Sequence, residues 1–443
     1  MNALKRIAMV GLLISPNLLV APWAAAQNAV TNWNNIAITA ARATKIPGSA
    51  TGGGAVIYPA YMHLAVYNAV TAINGGFEPY KYSLTAPVGA SADTAAIEAA
   101  YETLLQVLPD QQSYLNGQYN DPVVGIASIP DGPAKENGKM VGHASASALM
   151  ALRADDGRGA NVPYSFPTTP VPGVWILTPG ATAPATPWLG QMRPFTFDDP
   201  AQFLPEPPPD LSSQTWTDDY NQVKALGAKD STVRTPEQTE IALFWTESTT
   251  TQYGRMLRAK AIELNLSLAD TARLFAMTYT SSADAIIGCW NAKYHYSFWR
   301  PVTAIRNGDI DGNPDTISDP NWTPLATTPA HPEYPSAHGC ITGAVTDTLK
   351  TYFGNPNLGI SLDSTVTGTT HYFNSIREWQ NEVGWARIYA GFHYHSAVMQ
   401  GLTLGHKVAH HVVKNYFRPV RSKHDRERND DDSRNSPECD EDR

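Results

Sequence analysis

Residues 335–353, PSAHGCITGAVTDTLKTYF, contain a helix together with the residues that introduce it. Apolar side chains recur at helical spacing from Ile341 to Phe353, which predicts an amphipathic helix. Ser336 stands in the N-cap position, and His338 falls on the first turn. The free backbone N–H groups of such a terminus favour an anion, and the small Ala337 would let one approach closely. An ordinary capped helix with an incidental histidine is the commoner outcome when this segment is judged alone.

A second segment, forty residues earlier, pairs two cations. Lys293 and Arg300 lie seven residues apart, so a helix would present both on one face. Pro301 disfavours helical conformation at Arg300, so we expect the helix to end there and Arg300 to turn inward. Arginine offers a planar fork of donors to oxyanion oxygens, and lysine offers a mobile point charge. A pair of surface cations is the alternative, and exposed charge is the more common arrangement.

A third segment follows with Arg387, Gly391 and His393. A continuous helix would not place Arg387 and His393 on one face, but Gly391 can supply a bend. The apolar pattern from Val398 to Val412 predicts a new helix with His393 at its amino end, where a neutral imidazole is favoured. A core histidine at a bend is an equally good explanation of this segment alone. Together, the three segments supply three cations, a hydroxyl and two histidines, which suit a tetrahedral oxyanion such as phosphate or vanadate.

The bulk composition describes a protein with a large core. The chain has 443 residues, of which 42% are hydrophobic and 16% charged, enough for one sizeable domain or two closely packed ones. The formal net charge of -9 argues against nucleic acid as a partner. An acidic protein that binds an anion must concentrate its cations locally, as the three segments do.

The two ends of the chain differ from its body. Residues 1–26 match a secretory signal, with Lys5 and Arg6 before an apolar run and small residues before Gln27. We therefore expect an exported protein, periplasmic or extracellular. We expect no later stretch to be long and apolar enough to span a bilayer. Residues 418–443 are dense in Arg, Asp and Glu and are predicted to be a disordered tail.

The body, residues 27–417, is predicted to be one mainly α-helical domain with the site segments in 285–400. A Pro-, Gly- and Thr-rich stretch, 156–212, should be a long ordered loop, because its aromatic residues need something to pack on. No run of alternating strands is visible. The helices that we expect from periodicity or start signals cover Val56–Ile73, Ser91–Leu108, Pro133–Arg153, a helix capped by Thr235, and one from Ser267 toward Trp290.

Two of the three cysteines, Cys289 and Cys340, flank the site segments. Export would permit a disulfide between them, and two buried thiols are an equally good interpretation. The third, Cys439, lies in the predicted tail.

With its three segments assembled, the chain resembles the vanadium-dependent haloperoxidases and their relatives, the type 2 phosphatidic acid phosphatases and bacterial acid phosphatases. The family pattern is Lys-x6-Arg-Pro, then Pro-Ser-Gly-His, then Ser-Arg-x3-Gly-x-His-x3-Asp. The order of the segments and the spacing within each match this sequence. The N-terminal helices also look similar to those of bacterial haloperoxidases around Trp33-Asn34 and residues 63–70.

This resemblance implies an all-α helical bundle that uses vanadate as cofactor and hydrogen peroxide and halide as substrates. His393 would be the protein ligand to vanadium, and His338 would be the acid–base residue. Lys293 would also help to polarise peroxide. The groups that would hold the vanadate oxygens are Lys293, Arg300, Ser336, Arg387 and the backbone N–H of Ala337.

The sequence departs from the family pattern at three positions. Ala337 replaces a glycine, a mild change if only the backbone N–H is used. Ala386 replaces the serine before Arg387. Ala397 replaces the aspartate four residues after His393, so another acceptor, a backbone carbonyl or Ser396, would have to orient that imidazole. The missing aspartate lowers the phosphatase activity that we expect.

Two positions beside the segments concern which halide the protein would oxidise. By the resemblance, chloroperoxidases carry a tryptophan at the position of Trp290. Bromoperoxidases carry a second histidine at the position of His331. A core tryptophan and a loop histidine are the simpler interpretations. We predict oxidation of bromide or iodide, with a small organic acceptor as an option. The alternatives are an acid phosphatase with a phosphohistidine at His393 and a non-catalytic oxyanion-binding protein.

Overall fold

Thirteen α-helices and one short hairpin form the regular structure of residues 28–46 and 53–420, which the computed structural model describes. The helices are α1 Ala29–Ala43, α2 Ile57–Asn74, α3 Ala92–Val107, α4 Gln112–Tyr119, α5 Pro133–Leu152, α6 Gln214–Gly227, α7 Pro236–Phe244, α8 Thr249–Glu263, α9 Leu268–Tyr296, α10 Pro301–Arg306, α11 Ala337–Phe353, α12 Ile376–Tyr389 and α13 His395–Asn415. The strands β1 Ile360–Asp363 and β2 Thr370–Phe373 pair antiparallel. The predicted all-α fold is confirmed.

The long helix α9 lies at the centre of the bundle. It packs against α2 on one side and against α11 and α13 on the other, while α3 and α5 cover α2. From Thr271 to Trp290 nearly every side chain of α9 is buried. A helix that is apolar around most of its circumference is stable only when it is enclosed in this way. The end of α9 therefore delivers Lys293 to the protein interior.

Glycines bring α11 and α13 into close contact. A Cβ atom at Gly401 would lie 2.5 Å from the Ser336 carbonyl oxygen, and one at Gly343 would lie 2.5 Å from the Leu402 carbonyl oxygen. The backbone N–H of Ser336 donates to the Ala397 carbonyl oxygen at 2.9 Å. This close approach fixes the start of α11, with Ser336, beside the start of α13, which follows His393.

Start signals in the sequence predict several helices correctly. Ser91 caps α3, and the Thr235 side chain and Gln238 form the complete capping box of α7. Ser267 caps α9 by accepting from the backbone N–H of Asp270, and Ser336 caps α11. The irregular stretch expected at 156–212 contains one short 3-10 turn at Pro187–Gln191, and Trp175, Trp188, Phe195 and Phe197 in it are buried.

Four expectations need correction. Helix α9 ends at Tyr296 rather than at Arg300, because Ser297 adopts a left-handed conformation with φ 47°. The hairpin was not predicted, since strands of four residues are too short to show periodicity. Residues 418–420 are part of the folded body: the Arg418 carbonyl oxygen accepts from Glu78, and Val420 donates to Gly76. Residues 1–26 and 421–443 lie outside the described residues.

The fourth correction concerns the expectation that no stretch after residue 26 is long and apolar enough to span a bilayer. By length and composition, the helical segment Gly54–Asn74 could cross a membrane, contrary to our expectation. All side chains from Ile57 to Thr71 are buried, and α2 packs against α3, α5 and α9. The burial is that of a core helix, and it explains why the segment has no polar face.

Candidate oxyanion site

Lys293 reaches the site from the last turn of α9. Its side chain is fully buried, and its ammonium donates to the carbonyl oxygens of Pro332 at 3.1 Å, Glu333 at 2.8 Å and Pro335. Three backbone oxygens therefore fix a side chain that is otherwise mobile. They belong to the loop just before Ser336, so the first two site segments are joined directly.

Arg300 is the N-cap residue of α10 and has an extended backbone, which turns its side chain inward. Its Nε donates to the His331 carbonyl oxygen at 2.9 Å, and Nη1 donates to the Phe392 carbonyl oxygen at 2.8 Å. Nη1 also lies 3.3 Å from His393 Nε2, and Nη2 lies 3.0 Å from His331 Nδ1. The buried guanidinium thus connects the second and third segments.

Trp245 anchors two further site residues through its backbone. Its carbonyl oxygen accepts from Arg387 Nη1 at 2.8 Å and is hydrogen-bonded to the His338 imidazole. Arg387 Nε and His338 Nε2 are both buried without a hydrogen-bond partner. Buried donors and acceptors are normally paired, so two such atoms in one place indicate room for a polar ligand.

Ser336 begins α11 as predicted. Its Oγ lies 3.5 Å from the backbone nitrogen of Gly339, a long capping contact, and the residue is fully buried. The next backbone N–H, that of Ala337, belongs to the first turn, where N–H groups have no partner within the helix. The terminus therefore offers donors and a positive dipole end to an anion.

Glu333 is a site residue that the sequence analysis missed. Its Oε1 lies 2.7 Å from His393 Nδ1 and accepts from the backbone N–H of Tyr394 at 3.1 Å. Since Oε1 accepts from Tyr394, His393 acts as the second donor and carries its proton on Nδ1. His393 Nε2 then carries the lone pair, which faces Arg300 Nη1 at 3.3 Å. The expected alternative, Ser396, instead donates to Asp219.

Burial and charge set the protonation of these groups. Burial lowers the pKa of Lys293 to about 8, of Arg300 to about 10 and of Arg387 to about 9. Arg300 lowers the pKa values of Lys293 and Arg387 further, because like charges oppose one another. An oxyanion among the three cations would favour their charged forms.

Burial also lowers the pKa values of the two site imidazoles. Burial, and then the neighbouring cations, lower the pKa values of His393 and His338 well below the ordinary value, so both are neutral at pH 7. Burial raises the pKa of Glu333 to about 8, against the opposing effect of Lys293 and Arg300. A neutral His393 keeps the Nε2 lone pair that a ligand atom needs.

A cavity of about 480 Å³ connects the site to its surroundings. Its walls include Trp290, His331, His338, Arg387, Phe392 and His393. The rings of Trp290 and His331 are in contact, with centroids 4.8 Å apart, and the Trp290 indole N–H donates to the Ala185 carbonyl oxygen. Both residues lie beside the site, as the sequence analysis expected, and their roles remain predictions.

The structure brings every predicted site residue into one buried region. Three cations, a helix N-terminus and a neutral histidine fit an oxyanion such as vanadate, which needs many donors and one nitrogen ligand. Cys289 and Cys340 are free and buried there; Cys289 Sγ lies 3.8 Å from the Pro335 carbonyl oxygen. Among the described residues, no group of three His, Cys, Asp or Glu side chains could hold a metal cation.

The model of the VCPO second helical-bundle domain matches residues 273–422, a range that includes all three site segments. This part of the chain is therefore similar to a domain of the vanadium haloperoxidase-like superfamily. The chain is 26% identical over 404 residues to the vanadium chloroperoxidase of Curvularia inaequalis, an alignment that covers 74% of this chain. The chain spans 66% of that protein's length, slightly less than two thirds.

Solved structures of bacterial vanadium-dependent haloperoxidases share the fold. A bacterial vanadium-dependent iodoperoxidase superposes with a TM-score of 0.70 at 23% identity, covering 89% of this chain and 96% of the other. A holo-type bacterial vanadium-dependent chloroperoxidase gives a TM-score of 0.64 at 16% identity, covering 89% and 93%. These likenesses concern the fold alone, and they include the N-terminal helices, which the matched domain does not contain.

Proposed function

We propose that the protein is a vanadate-dependent haloperoxidase that oxidises halide with hydrogen peroxide. The observation that carries this proposal is the buried cluster of Lys293, Arg300 and Arg387 with a neutral His393, whose Nε2 lone pair faces Arg300 while Nδ1 is bound to Glu333. A phosphate-binding loop or a simple anion site has no need for such a histidine. The similarity of residues 273–422 to the VCPO second helical-bundle domain, and of the chain to a vanadium chloroperoxidase, supports the same activity.

Bound vanadate would supply a Lewis acid that accepts the His393 nitrogen and polarises hydrogen peroxide without changing its own oxidation state. Lys293, Arg300, Arg387, Ser336 and the Ala337 backbone N–H would hold its oxygens. These donors are fixed before the substrates arrive, so they stabilise negative charge without reorganising.

His338 is the residue we assign to proton transfer. Its Nε2 is unpartnered at the cavity wall, while its bond to the Trp245 carbonyl oxygen fixes the ring. A neutral imidazole can take a proton from hydrogen peroxide at Nε2 and return it to the departing oxygen.

Bromide or iodide is the halide we propose. The pairing of Trp290 with His331 combines features of two halide preferences, and both ions are more easily oxidised than chloride. The cavity is within the 300–1,000 Å³ range of small-molecule sites, so it could also admit a small organic acceptor. We also propose that the protein is exported, on the basis of residues 1–26.

A phosphatase is the second candidate, and one observation favours it. We expected the absence of an aspartate at Ala397 to weaken a histidine nucleophile, but Glu333 offers a carboxylate to the same nitrogen. A third candidate is an oxyanion-binding protein without turnover.

One set of assays distinguishes the three candidates. Purified protein is reconstituted with vanadate and assayed with hydrogen peroxide for bromination of a phenolic dye and for oxidation of iodide. Without vanadate, it is assayed for hydrolysis of p-nitrophenyl phosphate. The His393→Ala variant is the test and the exposed His410→Ala its control. Bromination or iodide oxidation that needs vanadate and His393 supports the proposal. Absence of both bromination and iodide oxidation with vanadate bound contradicts it, hydrolysis that depends on His393 supports the phosphatase, and binding with neither activity leaves the third candidate.

A further inference from the structure

The Glu333 carboxylate connects all three site segments. It lies in the loop that leads to Ser336, its backbone carbonyl oxygen accepts from Lys293, and its Oε1 accepts from His393 and Tyr394. The side chain has no exposed surface. Burying a carboxyl group is costly, so an arrangement that retains one beside Lys293 and Arg300 requires a specific reason.

The position that carries aspartate in the superfamily pattern cannot provide the same contact. Ala397 is fully buried in an apolar cluster with Trp216 and Tyr394, and its methyl group accepts no hydrogen bond. The adjacent Ser396 is bound to Asp219, which caps the start of α13. The carboxylate that reaches His393 therefore comes from a different segment, sixty residues earlier in the chain.

We propose that Glu333 is the positioning residue for His393 and replaces the carboxylate that is missing at Ala397. By accepting the Nδ1–H, it fixes the tautomer and the rotation of the ring and aims the Nε2 lone pair into the site. Glu333 contacts neither the oxyanion nor the substrates. The inference rests on the proposed function, because it concerns an oxyanion that bonds to Nε2.

A simple counter-ion role for Glu333 makes the opposite prediction. A carboxylate that only balances Lys293 and Arg300 weakens the attraction of these cations for an anion. Its removal would tighten oxyanion binding or leave it unchanged. A positioning carboxylate instead favours the bond from Nε2, so its removal weakens binding of an anion that forms that bond. The affinities for vanadate and for phosphate distinguish the two roles. Vanadate would form the bond to His393 Nε2, whereas phosphate at equilibrium is held by the hydrogen-bond donors without a bond to nitrogen.

The test is calorimetric titration of vanadate and of inorganic phosphate into the wild-type protein and the Glu333→Gln and Glu333→Ala variants. Glu98→Gln is the matched control, since Glu98 is a buried carboxylate in α3 whose partner is the Tyr119 hydroxyl. We expect vanadate affinity to fall about 10- to 100-fold in the Glu333 variants, as for other groups that orient metal ligands. Phosphate affinity should be unchanged or higher, and Glu98→Gln should match the wild type.

Unchanged or tighter vanadate binding in Glu333→Gln and Glu333→Ala would overturn the inference. Equal weakening for vanadate and phosphate would also overturn it, because that indicates general damage to the site. Glu333→Gln has nearly the native volume, so it keeps the test valid if Glu333→Ala fails to fold, as thermal unfolding would reveal. A wild-type protein that binds phosphate but not vanadate would instead contradict the proposed function itself.

A rescue experiment tests the exchange of the two carboxylates. The double variant Glu333→Ala with Ala397→Asp returns the carboxylate to the superfamily position while the deleted side chain leaves space nearby. Recovery of vanadate affinity above that of Glu333→Ala supports the replacement. No recovery in a folded double variant would show that the two positions are not equivalent, contrary to the proposal.

Discussion

Replacing Arg300 with lysine tests whether the shape of this side chain matters as well as its charge. In the wild type, three guanidinium nitrogens point in different directions. Nε is 2.9 Å from the His331 carbonyl oxygen, Nη1 is 2.8 Å from the Phe392 carbonyl oxygen, and Nη2 is 3.0 Å from His331 Nδ1. A lysine keeps the positive charge but has only one nitrogen, which cannot serve acceptors on both sides.

The expected loss of stability follows from the unpaired acceptor. At least one buried carbonyl loses its donor in Arg300→Lys, at about 1–3 kcal/mol. Unfolding entropy is about 2 cal/mol/K per residue, so for a chain of this length Tm falls by roughly 1–3 °C. One charge-assisted hydrogen bond to vanadate is lost as well, and about 1.5–3 kcal/mol corresponds to roughly a 10- to 150-fold weaker affinity.

Calorimetric titration with vanadate and thermal unfolding measure the two effects. Arg306→Lys is the control, because Arg306 lies on the same short helix and donates from Nε to the Trp322 carbonyl oxygen, away from the site cavity. A folded Arg300→Lys variant that binds vanadate as tightly as the wild type would refute the reasoning, since charge alone would then suffice.

Three further predictions concern other parts of the molecule. His338→Ala should lower halide-oxidation turnover about 10²- to 10⁴-fold with a much smaller change in vanadate affinity; equal losses in both would contradict its role in proton transfer. Burial alone would lower the pKa of His371, but hydrogen bonds and charges from Glu382 and Glu240 raise it. The protonated form therefore stabilises the fold fully below the ordinary pKa of about 6.5, and this contribution is lost as pH rises through the folded pKa. The Tm difference between wild type and His371→Gln should be larger at acidic pH than at alkaline pH; equal differences would contradict this. Deleting residues 421–443 should leave Tm unchanged, whereas deleting 417–443 also removes the buried Phe417 and should cost about 3–5 kcal/mol; similar Tm values for the two truncations would contradict the boundary.

The sequence predicts the helices well wherever a cap and a periodic apolar face coincide, as at Thr235 and Ser336. It also predicts which residues meet, because cations and histidines in three short segments share one chemistry. Glu333 could not be found in this way. Its partner His393 is sixty residues away, and only the close packing of α11 on α13 brings them together. The signal available was its place two residues before Pro335, where a site segment begins.

Trp245 shows a second limit of sequence reasoning. Its contribution to the site is a backbone carbonyl oxygen that holds Arg387 and His338, and every residue type has that group. A residue pattern cannot mark such a position. The end of α9 at Tyr296 could not be predicted either. It depends on the left-handed conformation of Ser297, which a serine does not require.

The crystal structure of the protein with bound vanadate tests the central claim most directly, because an anomalous difference map locates vanadium without reference to activity. We predict a single vanadium position bonded to His393 Nε2, with Lys293, Arg300 and Arg387 donating to its oxygens and Glu333 still bound to Nδ1. Vanadium bound elsewhere, or held by the cations with Nε2 pointing away, would contradict the account.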